Sequence, residues 1–232
     1  MIHCQARAVL TDIEGTTTDI AFVHKVLFPY ARDRIGAFVH EHAGDPMVRE
    51  QLDATAREAG LDANDIPALA ATLERWIDED RKITPLKALQ GLIWAQGYAD
   101  GDFRGHVYAD AAAGLKRWHA AGLRLYVYSS GSVAAQKLIY GHSEYGDLCP
   151  LFSGYFDTTT GPKREPGSYA RIAQDIGLAA AEIVFLSDVV EELDAARAAG
   201  MQTVQLVRAA DMPTGAHPIA HSFDDIQIEA QP

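Results

Sequence analysis

Two spacings of apolar residues divide this chain. In the first, a short unbroken apolar run ends abruptly in polar residues. Ala8-Val9-Leu10 runs into Thr11-Asp12, Leu123-Arg124-Leu125-Tyr126-Val127-Tyr128 into Ser129-Ser130-Gly131, and Ile183-Val184-Phe185-Leu186 into Ser187-Asp188. Thr203-Val204-Gln205-Leu206-Val207 predicts a further strand. Helical stretches lie between these runs, and glycine, the usual left-handed cap, stops two of them: Ala111 to Ala121 before Gly122, and Glu192 to Ala199 before Gly200. Strands alternating with helices predict an α/β layer fold around a parallel sheet with right-handed crossovers.

The second spacing, from Phe22 to Gly101, is helical throughout. Leu27, Ala31, Ile35 and Phe38 recur at helical intervals, with Pro29 obliged to start or kink a helix. Leu69, Leu73, Trp76 and Ile77 form another stripe. Thr84-Pro85 reads as an N-cap followed by proline at the first helical position, and Gly97 as a stop. The expected division is an α/β core over 1–20 and 102–232 with an all-helical insertion over 21–101.

Composition narrows the function. An apolar fraction of 48% fits a folded globular chain rather than a disordered one. The net charge of −12 argues against nucleic acid or an anionic membrane as partner and suits a divalent cation. Two widely separated cysteines, Cys4 and Cys149, make neither a disulfide framework nor a zinc pattern. With no signal-like or membrane-length apolar run, the expected location is the cytoplasm. A small helical insertion on a self-contained core permits a monomer, which is the expected state.

In open parallel sheets, ligands bind beyond the carboxyl ends of the strands. There the sequence places Asp12, Glu14, Gly15, Thr16 and Thr17, then Ser129, Ser130 and Gly131, then Asp188, Glu191 and Glu192. Lys163 lies between the last two groups in a loop rich in glycine and proline. Acids, hydroxyls and one lysine on a common rim suit a phosphate held with Mg²⁺. Taken singly, Asp12 reads as a helix cap, the serines as a turn and Lys163 as a solvated loop residue. Their order along the chain favours the site. Glu191 and Glu192 are expected to form a solvated helix start, with orientation of the cation's water shell as the alternative. His40 and His42 share no helix face and predict no metal site. Trp94 and Tyr98 are read as core, with a pocket for an apolar substrate tail as the alternative.

The order of parts resembles the haloacid dehalogenase superfamily of phosphotransferases. Its strand-Asp-x-Asp-Gly-Thr motif stands here as Asp12-Ile13-Glu14-Gly15-Thr16, its strand-end hydroxyl as Ser129, its lone lysine as Lys163 and its late acid as Asp188. The separations of 117, 34 and 25 residues leave room for a cap between the first two. Glu14 departs from the superfamily's second aspartate. Asp12-Ile13-Glu14-Gly15-Thr16-Thr17-Thr18, Tyr126 to Val133, Gln136-Lys137-Leu138, Gly154 to Asp157, Phe185 to Val189 and Leu86 to Trp94 are similar to the acireductone synthases, the bifunctional enolase-phosphatases of methionine salvage.

That resemblance implies a Rossmannoid core with an inserted helical cap closing over a small substrate, 2,3-diketo-5-methylthiopentyl-1-phosphate. The substrate would be enolised and then dephosphorylated. Asp12 would be the nucleophile, Glu14 the general acid and base, and Lys163 a catalytic and phosphate-binding cation. Ser129 and Ser130, with the Gly131 amide and the helix opening near Ser132, would bind phosphate. One Mg²⁺ per chain would sit on Asp12, Asp188 and the main-chain carbonyl of Glu14. As Glu14 lies two residues past Asp12, extended backbone would point both side chains the same way. The competing readings are a capped Mg²⁺-dependent phosphomonoesterase with no enolase step and a phospho-acceptor signalling module.

Overall fold

The computed structural model describes residues 1–230, which divide into two compact units, Met1–Ile20 with Arg104 onward, and Ala21–Phe103. The first unit holds a six-stranded sheet. Its strands are β2 (Ala8–Thr11), β3 (Arg124–Tyr128), β4 (Phe152–Phe156), β5 (Ile183–Ser187), β6 (Gln202–Leu206) and β7 (Ile219–Ala220). Their order is β4-β3-β2-β5-β6-β7, with every pairing parallel. The helices of this unit are α6 (Ala109–Ala120), α7 (Val133–Gly141), α8 (Pro166–Ile176) and α9 (Val190–Ala198). A separate parallel pair joins β1 (Ile2–Ala6) to β8 (Ile226–Ala230).

The central strands read as apolar runs because both their faces are covered. Ala8 and Leu10, Tyr126 and Tyr128, and Ile183 and Phe185 pack with Tyr169, Ile172 and Leu193 of α8 and α9. The alternate residues Val9, Leu125, Val127, Val184 and Leu186 are equally buried. Gly122 (φ +86°) and Gly200 (φ +93°) adopt the left-handed conformation just past α6 and α9, as the spacing predicts.

The second unit is helical throughout: α1 (Ile20–Phe22), α2 (Phe28–Glu41), α3 (Pro46–Ala59), α4 (Ile66–Asp78) and α5 (Thr84–Asp100). Ala31, Ile35, Val39, Leu52, Leu69, Leu73, Trp76, Leu89 and Ile93 form its core. Pro29 is tolerated because a π-helical turn, Val23–Leu27, precedes it: the Phe28 N–H reaches back to the Val23 carbonyl, a wider loop than an α-turn. Two expectations need correction. Thr84 is the first helical residue of α5, and Ile83, which has no side chain able to cap, is its N-cap. Gly97 does not end α5, which runs on to a left-handed Gly101. A Cβ at residue 97 would lie 2.7 Å from both Phe103 and Tyr30, so that glycine serves close packing.

Candidate active site

The register levels three strand ends. Thr11 pairs with Val127 on one side and Leu186 on the other, so Asp12, Ser129 and Ser187-Asp188 emerge side by side. Beyond Thr11 the chain does not stay extended. The Ile13 carbonyl accepts the N–H groups of Thr16, Thr17 and Thr18, and Gly15 turns at φ +77°. The extended-backbone expectation for Asp12 and Glu14 is therefore corrected: a tight turn carries Glu14 to the loop after β3, where its Oε2 accepts from Ser129 Oγ at 3.3 Å.

Lys163 is brought in by a clasp of three consecutive carbonyls. Gly161 O accepts from Tyr128 Oη (2.9 Å), Pro162 O from Ser168 Oγ (2.7 Å) and Lys163 O from Tyr169 Oη (2.7 Å). The lysine side chain is only 6% exposed. Its Nζ lies 2.7 Å from Asp12 Oδ1 and 2.7 Å from Glu192 Oε2. The Ile13 N–H also donates to Asp12 Oδ1 at 2.8 Å, so one carboxylate oxygen is pinned twice and the carboxylate plane is fixed.

Glu191 is exposed, but Glu192 is buried in the first turn of α9, which overturns its reading as part of a solvated helix start. Besides Lys163, it accepts from Ser187 Oγ at 3.1 Å. No spacing in the sequence marks it, because Asp188 lies before α9 begins and helical intervals do not relate the two acids. Gly131 also departs from expectation. Its N–H donates to Ser129 Oγ at 3.0 Å and is already used there. Ser130 is exposed. Ser132 caps α7, accepting from the Ala135 N–H. Trp94 donates to the Leu27 carbonyl at 2.8 Å and Tyr98 packs on Phe103, both within the helical unit.

The electrostatics are those of a crowded anionic site. Burial pushes the Asp188 carboxyl up, and the Asp12 charge adds to this, to about 6. The same two causes push Glu192 to about 7 against the pull of Lys163, and raise Glu14 as well. Burial would lower Lys163, but the charges of Asp12 and Glu192 outweigh it and hold the ammonium above the ordinary lysine range. Four acids thus share one buried lysine, a surplus of negative charge that a divalent cation would offset.

The donor set fits a hard cation better than zinc. Among the described residues, no three His, Cys, Asp or Glu side chains are grouped to hold a metal. What is offered is Asp12, Asp188 and nearby backbone oxygen, the sparse set Mg²⁺ accepts when waters and phosphate complete its shell. The backbone also makes room beside Asp188: a Cβ on Gly15 would fall 2.3 Å from Asp188 Oδ2.

Comparison with known proteins adds a second line of support. Residues 6–200 match the family model of haloacid dehalogenase-like hydrolases. An Enolase-phosphatase E1 of Pseudomonas aeruginosa is 62% identical over 96% of this chain and 99% of its own. One from Serratia proteamaculans is 57% identical over 96% of this chain and 97% of its own. The UTR4 protein of Saccharomyces cerevisiae superposes with a TM-score of 0.80 at 36% identity, covering 94% of this chain and 99% of that one. An L-2-haloacid dehalogenase from Xanthobacter autotrophicus shares the fold alone, with a TM-score of 0.59 at 18% identity over 95% of this chain and 96% of that one.

Proposed function

Since the chain belongs to the haloacid dehalogenase-like hydrolases and, among them, to the enolase-phosphatases, we infer that it carries out two steps on one diketone phosphate. 2,3-Diketo-5-methylthiopentyl-1-phosphate is enolised and then dephosphorylated to 1,2-dihydroxy-3-keto-5-methylthiopentene, a reaction of methionine salvage. The observation that carries this reading is Glu14, held over Ser129 one turn from a lysine-paired Asp12. All the assigned groups lie within 1–20 and 102–232, which we take as the catalytic core.

Asp12, oriented by Lys163 and the Ile13 N–H, attacks phosphorus and forms an aspartyl phosphate as the bond from phosphorus to the substrate oxygen breaks. Glu14 is kept protonated more readily than a free glutamate, because burial and the Asp12 charge both raise it, and it gives its proton to the leaving oxygen. The resulting carboxylate then takes a proton from the water that attacks the aspartyl phosphate, releasing inorganic phosphate and restoring Asp12. Ser129 and Lys163 hold the phosphate oxygens, with Ser130 at the loop surface as a further hydroxyl donor. Asp12, Asp188 and the Glu14 carbonyl would hold one Mg²⁺, which supplies positive charge to the phosphoryl and enolate oxygens. We place the enzyme in the cytoplasm as a monomer.

The test uses Asp12→Asn with the diketone phosphate. Phosphate release is expected to vanish, because an amide is a poor nucleophile, while part of the enediol absorbance survives. Rapid phosphate release by the variant would remove Asp12 from its role. Phosphate release by the native enzyme with no rise in enediol absorbance would leave a plain phosphomonoesterase.

A further inference from the structure

One backbone carbonyl of the Asp12–Thr18 turn is served from the far end of the chain. Ile13, Thr17 and Thr18 place their carbonyls on backbone N–H groups. Thr16 is fully buried, and its carbonyl accepts two hydrogen bonds from one guanidinium, Arg208 Nη2 at 2.8 Å and Nε at 3.2 Å. That guanidinium is itself immobilised. Its Nη1 lies 2.7 Å from Asp110 Oδ2 and donates to the His221 carbonyl at 3.4 Å, and the Tyr108 ring lies 4.3 Å away. Asp110 is fixed in turn by the Phe223 N–H (2.7 Å) and Ser222 Oγ (3.1 Å).

The held segment is the wall behind Asp188. Thr16 Oγ1 donates to Asp188 Oδ1 at 3.4 Å, and Gly15 lies so close that a Cβ there would overlap the carboxylate. We propose that Arg208 is a positioning residue: through the Thr16 carbonyl it fixes the Gly15-Thr16 wall, and through that wall the place of the Asp188 carboxylate beside Asp12. The proposal rests on the Mg²⁺-dependent phosphatase reading above. Without the guanidinium, a buried carbonyl lacks its partner and the peptide turns to find one, taking the Thr16 hydroxyl with it. Lysine is not an equivalent. It would keep a charge toward Asp110 but offers a point contact in place of a planar fork.

The experiment compares full-length native enzyme, Arg208→Met and Arg208→Lys. Thermal melting establishes that each is folded at the assay temperature. Mg²⁺ binding to the substrate-free proteins is measured by calorimetry, and phosphate release is followed against both Mg²⁺ and substrate. Arg208→Met is expected to bind Mg²⁺ about 10-fold more weakly and to lose about 10-fold in kcat, the scale of disturbing a residue behind a metal ligand. KM for the diketone phosphate should stay near native, because Ser129 and Lys163 are untouched. Arg208→Lys should fall between. A folded Arg208→Met with native Mg²⁺ affinity and kcat overturns the proposal, even if its melting temperature has dropped. If Arg208→Met does not fold, native Mg²⁺ affinity in Arg208→Lys overturns it equally. A native enzyme that neither binds Mg²⁺ nor releases phosphate overturns the functional reading, and this proposal with it.

Discussion

Lys163 shows how much one side chain settles here. Two buried carboxylates lie 2.7 Å from its ammonium, so Lys163→Met leaves both without a counter-ion. Breaking such a pair typically costs about 3–5 kcal/mol, and urea denaturation should register a loss of that order together with loss of phosphate release. Adding Glu192→Gln to Lys163→Met should recover part of the stability and none of the activity. A Lys163→Met enzyme as stable as the native one would contradict the ion-pair account. Asp12, Ser129, Lys163 and Asp188 were legible in the sequence because each follows an apolar run or stands in a Gly/Pro loop. Glu192 and Arg208 were not. Their roles depend on partners that the chain delivers from elsewhere, and nothing next to them marks the meeting.

Among elements, legibility followed burial. The strands β2, β3 and β5, covered on both faces, are continuous apolar runs and were read directly. β4 is an edge strand with a glycine in its middle, β7 has two residues, and β1 and β8 alternate polar and apolar positions in a separate pair. None of these carries the pattern of a central strand. The same lesson applies to α5, where Gly97 looks like a terminator but is a point of contact. Gly97→Ala should gain about 1 kcal/mol of helix propensity. The Cβ would meet Tyr30 and Phe103 at 2.7 Å, and overpacking of this kind costs about 1–3 kcal/mol. A lower melting temperature is therefore expected, and a higher one would show that the rings move aside freely.

At the scale of the whole molecule, Asp110 joins α6, the segment at Ser222-Phe223 and Arg208. Burial opposes its ionisation, but the Phe223 N–H and Arg208 outweigh this and hold its carboxyl below the usual range. An acid with a depressed folded value stabilises fully above its unfolded value, about 4, and loses that contribution as pH falls through the folded value. The stability gap between native protein and Asp110→Asn, measured by urea denaturation, should thus be full at neutral pH and shrink under acid. A gap that stayed constant with pH would rule out the charge as its source. The boundary between the units has a consequence of its own. Thr18 Oγ1 donates to the His106 carbonyl at 2.8 Å, and the Asp19 N–H donates to His106 Nδ1 at 3.1 Å. The point where the chain departs for the helices and the point where it returns are thus fastened to one residue. For the sheet, everything from 20 to 104 is a detour that begins and ends at the same door, and its length adds little to the entropy of closing it. Such a door would let one helical module replace another without redrawing the strand ends that carry Asp12, Ser129 and Asp188.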